Sequence, residues 1–289
     1  MAALATEPLV SPFTERETKE LQEANTSGKT PVVFVHGLWL LASSWDRWRD
    51  VFADAGYATL APGWPDDPEN VDEAKGHPEA FAGKTVEQVA ERYGNLIQRL
   101  ERKPVVIGHS FGGLLAQILA GRGLSSATVA IDPAPFRGVL PLPLSALRAS
   151  RPVLGNPLNR GRSVSLSYKQ FRYAFANAVS EEEAKALYAE FAVAAPGHPL
   201  FEAAFANLNP WTGVKVDTKN PERGPLLLIS GDKDHTVPWS MTNASFKRQK
   251  RNPGVTEVKL ISNRGHALVI DSGWREVAEA SLQFVQRFV

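Results

Sequence analysis

The sequence predicts an α/β fold in which a mostly parallel sheet of about six strands is flanked by helices and carries a helical insertion. Six short apolar runs alternate with helical stretches after residue 30, and strands that are covered on both faces have this continuous apolar character. Strand–helix alternation builds a parallel sheet through right-handed crossovers. The alternation stops over residues 133–223, where pairs such as Phe171 and Phe175 have helical spacing and predict the insertion.

The predicted elements follow in chain order. Residues 1–30 form a polar helical arm over 14–24 and a linker, since Asn25-Thr26-Ser27-Gly28 is typical of a loop. The predicted strands are 32–35, 58–61, 105–107, 128–131, 226–229 and 258–261. The predicted helices between them are 45–55, 86–100, 114–120, 240–249 and 274–288. We therefore expect a core over 31–135 and 223–289, with a helical cap over 136–222.

Composition excludes several classes of partner and site. Lys and Arg (32) balance Asp and Glu (31), so no overall field attracts nucleic acid or a membrane surface, and we expect neither as a partner. The absence of cysteine excludes disulfides, thiolate nucleophiles and cysteine-ligated zinc. The sequence has no recognisable signal peptide and no long apolar run, which predicts a cytoplasmic protein. A secreted protein whose leader had been removed would look the same.

The most informative motif is Gly108-His109-Ser110-Phe111-Gly112, which lies between the predicted strand 105–107 and the predicted helix 114–120. A G-x-S-x-G motif in this context is typical of a nucleophile elbow, a tight turn that holds the serine hydroxyl above the sheet. The glycines leave room where the strand and the helix meet, because a Cβ there would collide with neighbouring backbone. An ordinary glycine-rich turn is the alternative, which the flanking strand and helix disfavour.

Two backbone N–H groups beside this turn are candidates for an oxyanion hole. The helix that begins at Ser110 leaves the N–H of Phe111 without a helical partner. The segment His36-Gly37-Leu38 ends the first predicted strand, and we expect its loop beside the turn, where the N–H of Leu38 can join that of Phe111. Two such donors stabilise the negative oxygen of a tetrahedral intermediate.

A serine nucleophile needs two partner side chains, an imidazole that accepts its proton and a carboxylate that orients the imidazole. His266, which follows the last predicted strand, is the candidate base for Ser110. Asp234 lies in the polar loop 231–238 after the fifth predicted strand and is the candidate acid. Asp132, at the end of the fourth predicted strand, is the alternative acid.

In combination, the turn at Ser110, the His36-Gly37 loop, Asp234 and the terminal His266 resemble the α/β-hydrolase superfamily from residue 31 to residue 289. The resemblance implies the α/β-hydrolase fold with a helical cap, without the first two antiparallel strands of the usual core. It also implies a cofactor-free serine hydrolase that cleaves a small-molecule carboxylic ester, lactone or activated amide. No H-E-x-x-H spacing indicates a metal site.

Other functions are compatible with the same resemblance. Some members of the superfamily use the same three residues for perhydrolase or haloperoxidase-like activity, or for hydrolysis of carbon–carbon bonds. A ligand-binding receptor built on this fold is a further alternative of a different class, although the complete set of Ser110, Asp234 and His266 argues against it.

Four apolar residues near the expected mouth of the site are candidates for substrate binding: Trp39, Phe111, Phe136 and Trp211. An acyl or aryl group would be buried well against such side chains. Ordinary packing in the protein core explains aromatic residues at these positions equally well, so both interpretations stay open.

The charges are distributed unevenly between two segments that we expect at the entrance. Residues 133–180 contain no acidic residue, whereas residues 66–79 contain six acidic residues and only one basic residue, Lys75. The basic residues of the first segment are Arg137, Arg148, Arg151, Arg160, Arg162, Lys169 and Arg172. The two segments could pair across the entrance, the basic residues could attract an anionic substrate, or the charges could simply be solvated.

Overall fold

The structure is a computed structural model that describes residues 12–289, and a six-stranded sheet forms its centre. The strands in chain order are β1 (Pro31–Val35), β2 (Ala58–Leu60), β3 (Val105–His109), β4 (Ala127–Ile131), β5 (Ser163–Val164), β6 (Ala195–Pro196), β7 (Leu226–Gly231) and β8 (Thr256–Ile261). The central sheet has the order β2–β1–β3–β4–β7–β8, and all its neighbouring strands are parallel. The predicted sheet of about six strands is therefore confirmed.

Helices cover the sheet and connect its strands. Before β5 they are α1 (Glu15–Ser27), α2 (Asp46–Asp54), α3 (Val71–Gly76), α4 (Val86–Ile97), α5 (Phe111–Gly121) and α6 (Leu144–Leu154). After β5 they are α7 (Tyr168–Ala174), α8 (Glu181–Phe191), α9 (His198–Phe205), α10 (Trp239–Gln249) and α11 (Trp274–Val285). Within residues 12–289 no helix is both long enough and apolar enough to cross a bilayer.

Burial of the inner strands explains why they appear in the sequence as continuous apolar runs. Every residue of β1, β3, β4 and β7 is buried, as expected for inner strands covered on both faces. The edge strand β8 leaves Lys259 and Leu260 exposed and buries Ile261 at its end. The apolar runs therefore mark the inner strands clearly, whereas the ends of the strands differ from the predicted bounds by a few residues.

The segment between β4 and β7 contains α6–α9 and the antiparallel pair β5–β6, in the region predicted as a helical cap. Two hydrogen bonds attach it to the loop after β1. The indole Nε1–H of Trp39 donates to the carbonyl oxygen of Val164 (2.9 Å), and the N–H of Val193 donates to the carbonyl oxygen of Trp39 (3.2 Å). The insertion is thus fixed next to the carboxyl ends of the strands.

The acidic segment 66–79 does not pair with the basic segment 133–180. Within residues 12–289, the carboxylate of Asp67 pairs with His36 and Lys84, and that of Glu69 pairs with Arg16. No ion pair of the described chain joins the two segments. The pairing interpretation is therefore wrong, because Asp67 and Glu69 have their partners outside the basic segment.

The turn between β3 and α5 is held by close contact between backbones. A Cβ on Gly108 would lie 2.0 Å from the carbonyl oxygen of Gly112, and a Cβ on Gly112 would lie 2.0 Å from the carbonyl oxygen of Val35. Real Cβ atoms do not approach backbone oxygens this closely. Only glycine at both positions allows β1, β3 and the start of α5 to meet.

We expect Gly108→Ala to destabilise the protein by about 3 kcal/mol, because neither β3 nor α5 can move away from the added methyl group. Urea unfolding followed by circular dichroism gives the free energy of unfolding. Gly76→Ala is the matched control, since nothing lies within 4 Å of its Cβ position, and it should change that free energy by less than about 1 kcal/mol. Wild-type stability of Gly108→Ala would contradict the close contact.

Candidate active site

Ser110 occupies a strained position at the top of β3. Its backbone has φ 57° and ψ −120°, a conformation that non-glycine residues rarely adopt. The conformation is held by its neighbours, because the Ser110 N–H donates to the carbonyl oxygen of Ile131 (2.9 Å) and its carbonyl oxygen accepts from the N–H of Ala134 (2.9 Å). The strain thus fixes the hydroxyl at the carboxyl edge of the sheet, where β3 and β4 end.

His266 and Asp234 complete a hydrogen-bonded chain with Ser110. The Ser110 hydroxyl lies 2.9 Å from Nε2 of His266, and Nδ1 of His266 lies 2.6 Å from Oδ2 of Asp234. A carboxylate accepts only, so Nδ1 carries the proton and the lone pair of Nε2 faces the hydroxyl. The other oxygen of Asp234 accepts from the N–H groups of Thr236 (2.6 Å) and Val237 (2.9 Å), which hold the carboxylate in place.

Asp132 is close to this chain but is poorly placed to orient His266. Its Oδ2 lies 3.9 Å from Nδ1 of His266, and its Oδ1 accepts from the N–H of Gly231 (2.9 Å). Complete burial, followed by the negative charge of Asp234, raises the pKa of the Asp132 carboxyl well above its ordinary value. The geometry therefore favours Asp234 over Asp132 as the partner of His266.

His109 holds the backbone of His266 through a hydrogen bond. Its Nε2–H donates to the carbonyl oxygen of His266 (2.9 Å), and the two rings lie 4.6 Å apart. Burial, together with the neighbouring His266, lowers the pKa of His109 well below its ordinary value, so the ring is neutral at neutral pH. A neutral ring adds no charge next to the imidazole that faces Ser110.

His109, Asp132 and His266 form a cluster of potential metal ligands among the described residues. One ligand atom from each lies within 4.8 Å of the others. Both nitrogens of His266 are already engaged by Ser110 and Asp234, and Nε2 of His109 is engaged by the backbone. A metal at this position would have to break those hydrogen bonds, so the donor set does not favour one.

The loop after β1 presents a free N–H beside Ser110. The ring of His36 donates from Nδ1 to the carbonyl oxygen of Gly37 (2.9 Å), and a trans peptide therefore turns the N–H of Leu38 away from the ring. Gly37 packs against Ser110, since its Cβ position lies 3.4 Å from the hydroxyl oxygen. Within residues 12–289, neither the Leu38 nor the Phe111 N–H donates to a protein acceptor. Both are available to an oxyanion.

An apolar cavity of about 160 Å³ opens next to Ser110. Trp39 and Phe111, two of the four candidates for substrate binding, line it. Most of its other walls come from the insertion, the loop before α10 and the first turn of α10, and they include Val139, Leu140, Leu142, Ala146, Leu154, Leu200, Val237 and Met241. The cavity therefore joins the hydroxyl of Ser110 to an apolar space between the cap and the core.

A family model for the alpha/beta hydrolase family matches residues 32–280, which is most of the chain. The chain belongs to the alpha/beta hydrolase family. None of the curated proteins matches the sequence of this alpha/beta hydrolase significantly.

Solved structures share the fold of this alpha/beta hydrolase at low sequence identity. A monoacylglycerol lipase from Paleococcus ferrophilus is 22% identical with a TM-score of 0.62, over 90% of this chain and 95% of that chain. A thermophilic esterase from Thermogutta terrifontis is 17% identical with a TM-score of 0.62, over 90% of each chain. A pyrethroid hydrolase from Sphingobium faniae is 19% identical with a TM-score of 0.61, over 89% of this chain and 97% of that chain.

The structure places two predicted substrate-binding residues of the alpha/beta hydrolase away from the cavity. Phe136 is buried in the main core and does not line the cavity. Trp211 is 88% exposed and lines a separate, more polar depression that also contains Glu87 and Arg160. The predictions that Phe136 and Trp211 lie at the cavity beside Ser110 are therefore wrong. Aromatic character alone does not indicate which surface of the insertion a side chain faces.

Asp67 and Lys84 also shape this site, although no sequence motif indicated them. His36 lies 3.1 Å from Oδ2 of Asp67, whose other oxygen pairs with Lys84 at 2.5 Å. Burial alone would raise the pKa of Asp67, but the hydrogen bond from His36 and the charge of Lys84 hold this pKa below its ordinary value.

The apolar wall of the cavity at Leu140 and Leu142 could have been recognised in the sequence from the repeated Leu-Pro pairs of that segment.

We expect Asp132→Asn to become progressively more stable than the wild type as the pH rises from acid toward neutral. The folded protein holds the Asp132 proton more tightly than the unfolded chain, whose carboxyl has a pKa of about 3.9. The wild type therefore loses stability as the pH rises above that value toward the raised pKa of the folded state. Asparagine has no proton to lose and keeps the acceptor for the N–H of Gly231.

The measurement is the difference in urea midpoint between Asp132→Asn and the wild type at several pH values. Asp54→Asn, at the exposed end of α2, serves as the control and should show much less pH dependence. A constant difference for Asp132→Asn, or one that falls with pH, would show that Asp132 is ionised in the folded protein.

Proposed function

We propose that this alpha/beta hydrolase is a serine hydrolase that cleaves carboxylic esters with an apolar acyl group through an acyl-enzyme. The observation that carries the proposal is the hydrogen-bonded chain from Ser110 through His266 to Asp234. These three side chains supply a nucleophile, a base and an orienting carboxylate, so the reaction requires no cofactor.

In the first half of the reaction, Oγ of Ser110 attacks the ester carbonyl carbon while its proton passes to Nε2 of His266. The new Oγ–C bond forms as the carbonyl electron pair moves onto the oxygen. When the tetrahedral intermediate collapses, the bond to the alcohol breaks and His266 returns the proton to the leaving oxygen. The acyl group then remains on Ser110, and the alcohol departs.

In the second half, water takes the place of the alcohol. His266 accepts a proton from the water as its oxygen attacks the acyl carbon, and then returns the proton to Oγ of Ser110. Asp234 keeps the required tautomer and stabilises the imidazolium in both halves. The N–H groups of Leu38 and Phe111 donate to the oxyanion, a contribution that typically amounts to about 10²–10³ in kcat for one donor.

The apolar cavity supports an apolar acyl group. Its walls contain mainly aliphatic side chains and lead directly to Ser110, so an aliphatic chain attached to the reacting carbonyl would be buried there. The proteins of similar fold named above include a lipase, an esterase and a pyrethroid hydrolase, which also supports an ester as the substrate.

Labelling with a fluorophosphonate and hydrolysis of p-nitrophenyl esters test the proposal. We expect the label on Ser110 alone and kcat/KM that rises from acetate to medium-chain esters as the chain fills the cavity. Ser110→Ala should abolish both, whereas Ser165→Ala, at an exposed serine in the insertion, should change neither. A label on another serine, or ester hydrolysis that survives Ser110→Ala, would refute the assignment.

We expect Asp234→Asn to lower kcat far more than Asp132→Asn does. Removal of the orienting carboxylate lowers kcat by about 10⁴ in a serine protease, because the imidazole then adopts the wrong tautomer. Steady-state kinetics with one p-nitrophenyl ester compare the two variants under identical conditions. Equal losses, or a larger loss in Asp132→Asn, would transfer the role of the acid to Asp132.

A further inference from the structure

The segment 138–147 of the insertion exposes a row of leucines. The side chains of Leu140, Leu142 and Leu144 are 73%, 64% and 84% exposed, and Leu147 is also exposed. Prolines separate the first three, and α6 begins at Leu144, so the segment has a defined shape. Exposed apolar residues that are scattered singly need no explanation, whereas a contiguous group marks an interaction surface.

A fifth exposed leucine, from a different loop, belongs to the same surface. The side chain of Asn207 accepts from the N–H of Gly138 (2.6 Å) and donates to the carbonyl oxygen of Val139 (3.1 Å). These bonds place the loop after α9 against the start of the leucine segment. The next residue in that loop, Leu208, is 80% exposed. We call residues 138–147 together with Leu208 the leucine rim.

The leucine rim is continuous with the cavity that leads to Ser110. Leu140 and Leu142 are exposed to solvent and also line the cavity, as do Pro141 and Asn207. An apolar molecule that enters between these residues would thus pass from the rim to the nucleophile along apolar side chains.

Three exposed arginines flank the rim. Arg137 directly precedes it, and Arg148 and Arg151 lie in the helix α6, which begins at Leu144. All three are exposed, and none forms an ion pair with another residue in the range 12–289. Residues 133–180 contain no acidic side chain, so every charged side chain that this segment contributes beside the rim is positive, although the net charge of the chain is only +1.

We propose that the leucine rim docks on the surface of an anionic lipid membrane, from which the cavity takes its ester. Exposed leucines next to arginines are suited to such a surface, because the apolar side chains enter the acyl boundary while the guanidinium groups meet anionic headgroups. A protein seated on the rim would cover the mouth of the cavity, whereas a membrane delivers an apolar molecule directly into it. The statement about the ester rests on the proposed function; the docking does not.

Vesicle sedimentation with the Ser110→Ala protein tests the docking without hydrolysis. Vesicles of phosphatidylcholine are compared with vesicles that also contain phosphatidylglycerol. We expect stronger binding to the anionic vesicles. The double substitution Leu144→Ser/Leu208→Ser should weaken binding by about tenfold or more, because neither side chain can then enter the membrane. Leu260→Ser, at an exposed leucine of β8 outside the insertion, is the matched control and should bind normally.

A second pair of substitutions tests the charges independently of the leucines. Arg137→Gln/Arg151→Gln should remove most of the preference for anionic vesicles and leave the weaker binding to phosphatidylcholine unchanged. Absence of vesicle binding, or equal binding by the rim, arginine and control variants, overturns the proposal. So does analytical ultracentrifugation that shows a dimer which the rim substitutions dissociate, because the rim would then face a second copy of the chain.

Assays of the active enzyme distinguish a failure of membrane docking from a failure of the proposed function. Leu144 and Leu208 do not line the cavity, so their substitution should leave the hydrolysis of soluble p-nitrophenyl acetate unchanged. The same protein should hydrolyse a long-chain p-nitrophenyl ester held in anionic vesicles about tenfold more slowly. Loss of activity on both esters would contradict a role confined to docking. Inactivity of the wild type on every ester would refute the proposed function alone, since vesicle binding by Ser110→Ala is measured separately.

Discussion

The close backbone contact of β1, β3 and the start of α5 is the constraint on which the site depends. Gly108 and Gly112 allow the strand and the helix to meet within distances that no Cβ permits. The resulting turn forces Ser110 into its strained conformation and leaves the N–H of Phe111 free beside its hydroxyl. The same contact brings the loop of Gly37 against Ser110, so one packing constraint places the hydroxyl and both candidate oxyanion donors.

The two buried aspartates beside His266 have different hydrogen-bond partners. Asp234 has the shortest contact to His266 and two backbone donors of its own, whereas Asp132 holds the N–H of Gly231 and has a raised pKa. Two buried carboxyls beside one imidazole cannot both ionise without a large penalty. The different partners of the two aspartates therefore explain how one carboxylate can serve His266 while the other remains a structural hydrogen-bond acceptor.

The sequence predicted the parts of the structure that depend on local pattern. The inner strands have continuous apolar runs because both faces are covered, and the turn at Ser110 has a motif because its backbone tolerates only glycine at fixed positions. The placement of Phe136 and Trp211 depended on how the insertion folds back on the core, which no local pattern records. Likewise, both Asp132 and Asp234 follow strands, and only their distances to His266 distinguish them.

In the proposed reaction, Ser110 carries the acyl group during turnover. Mass spectrometry of enzyme quenched in acid while it hydrolyses p-nitrophenyl hexanoate tests this most directly. We expect a hexanoyl adduct on the peptide that contains Ser110, and no adduct in Ser110→Ala. An adduct on a different residue, or turnover by Ser110→Ala, would contradict it.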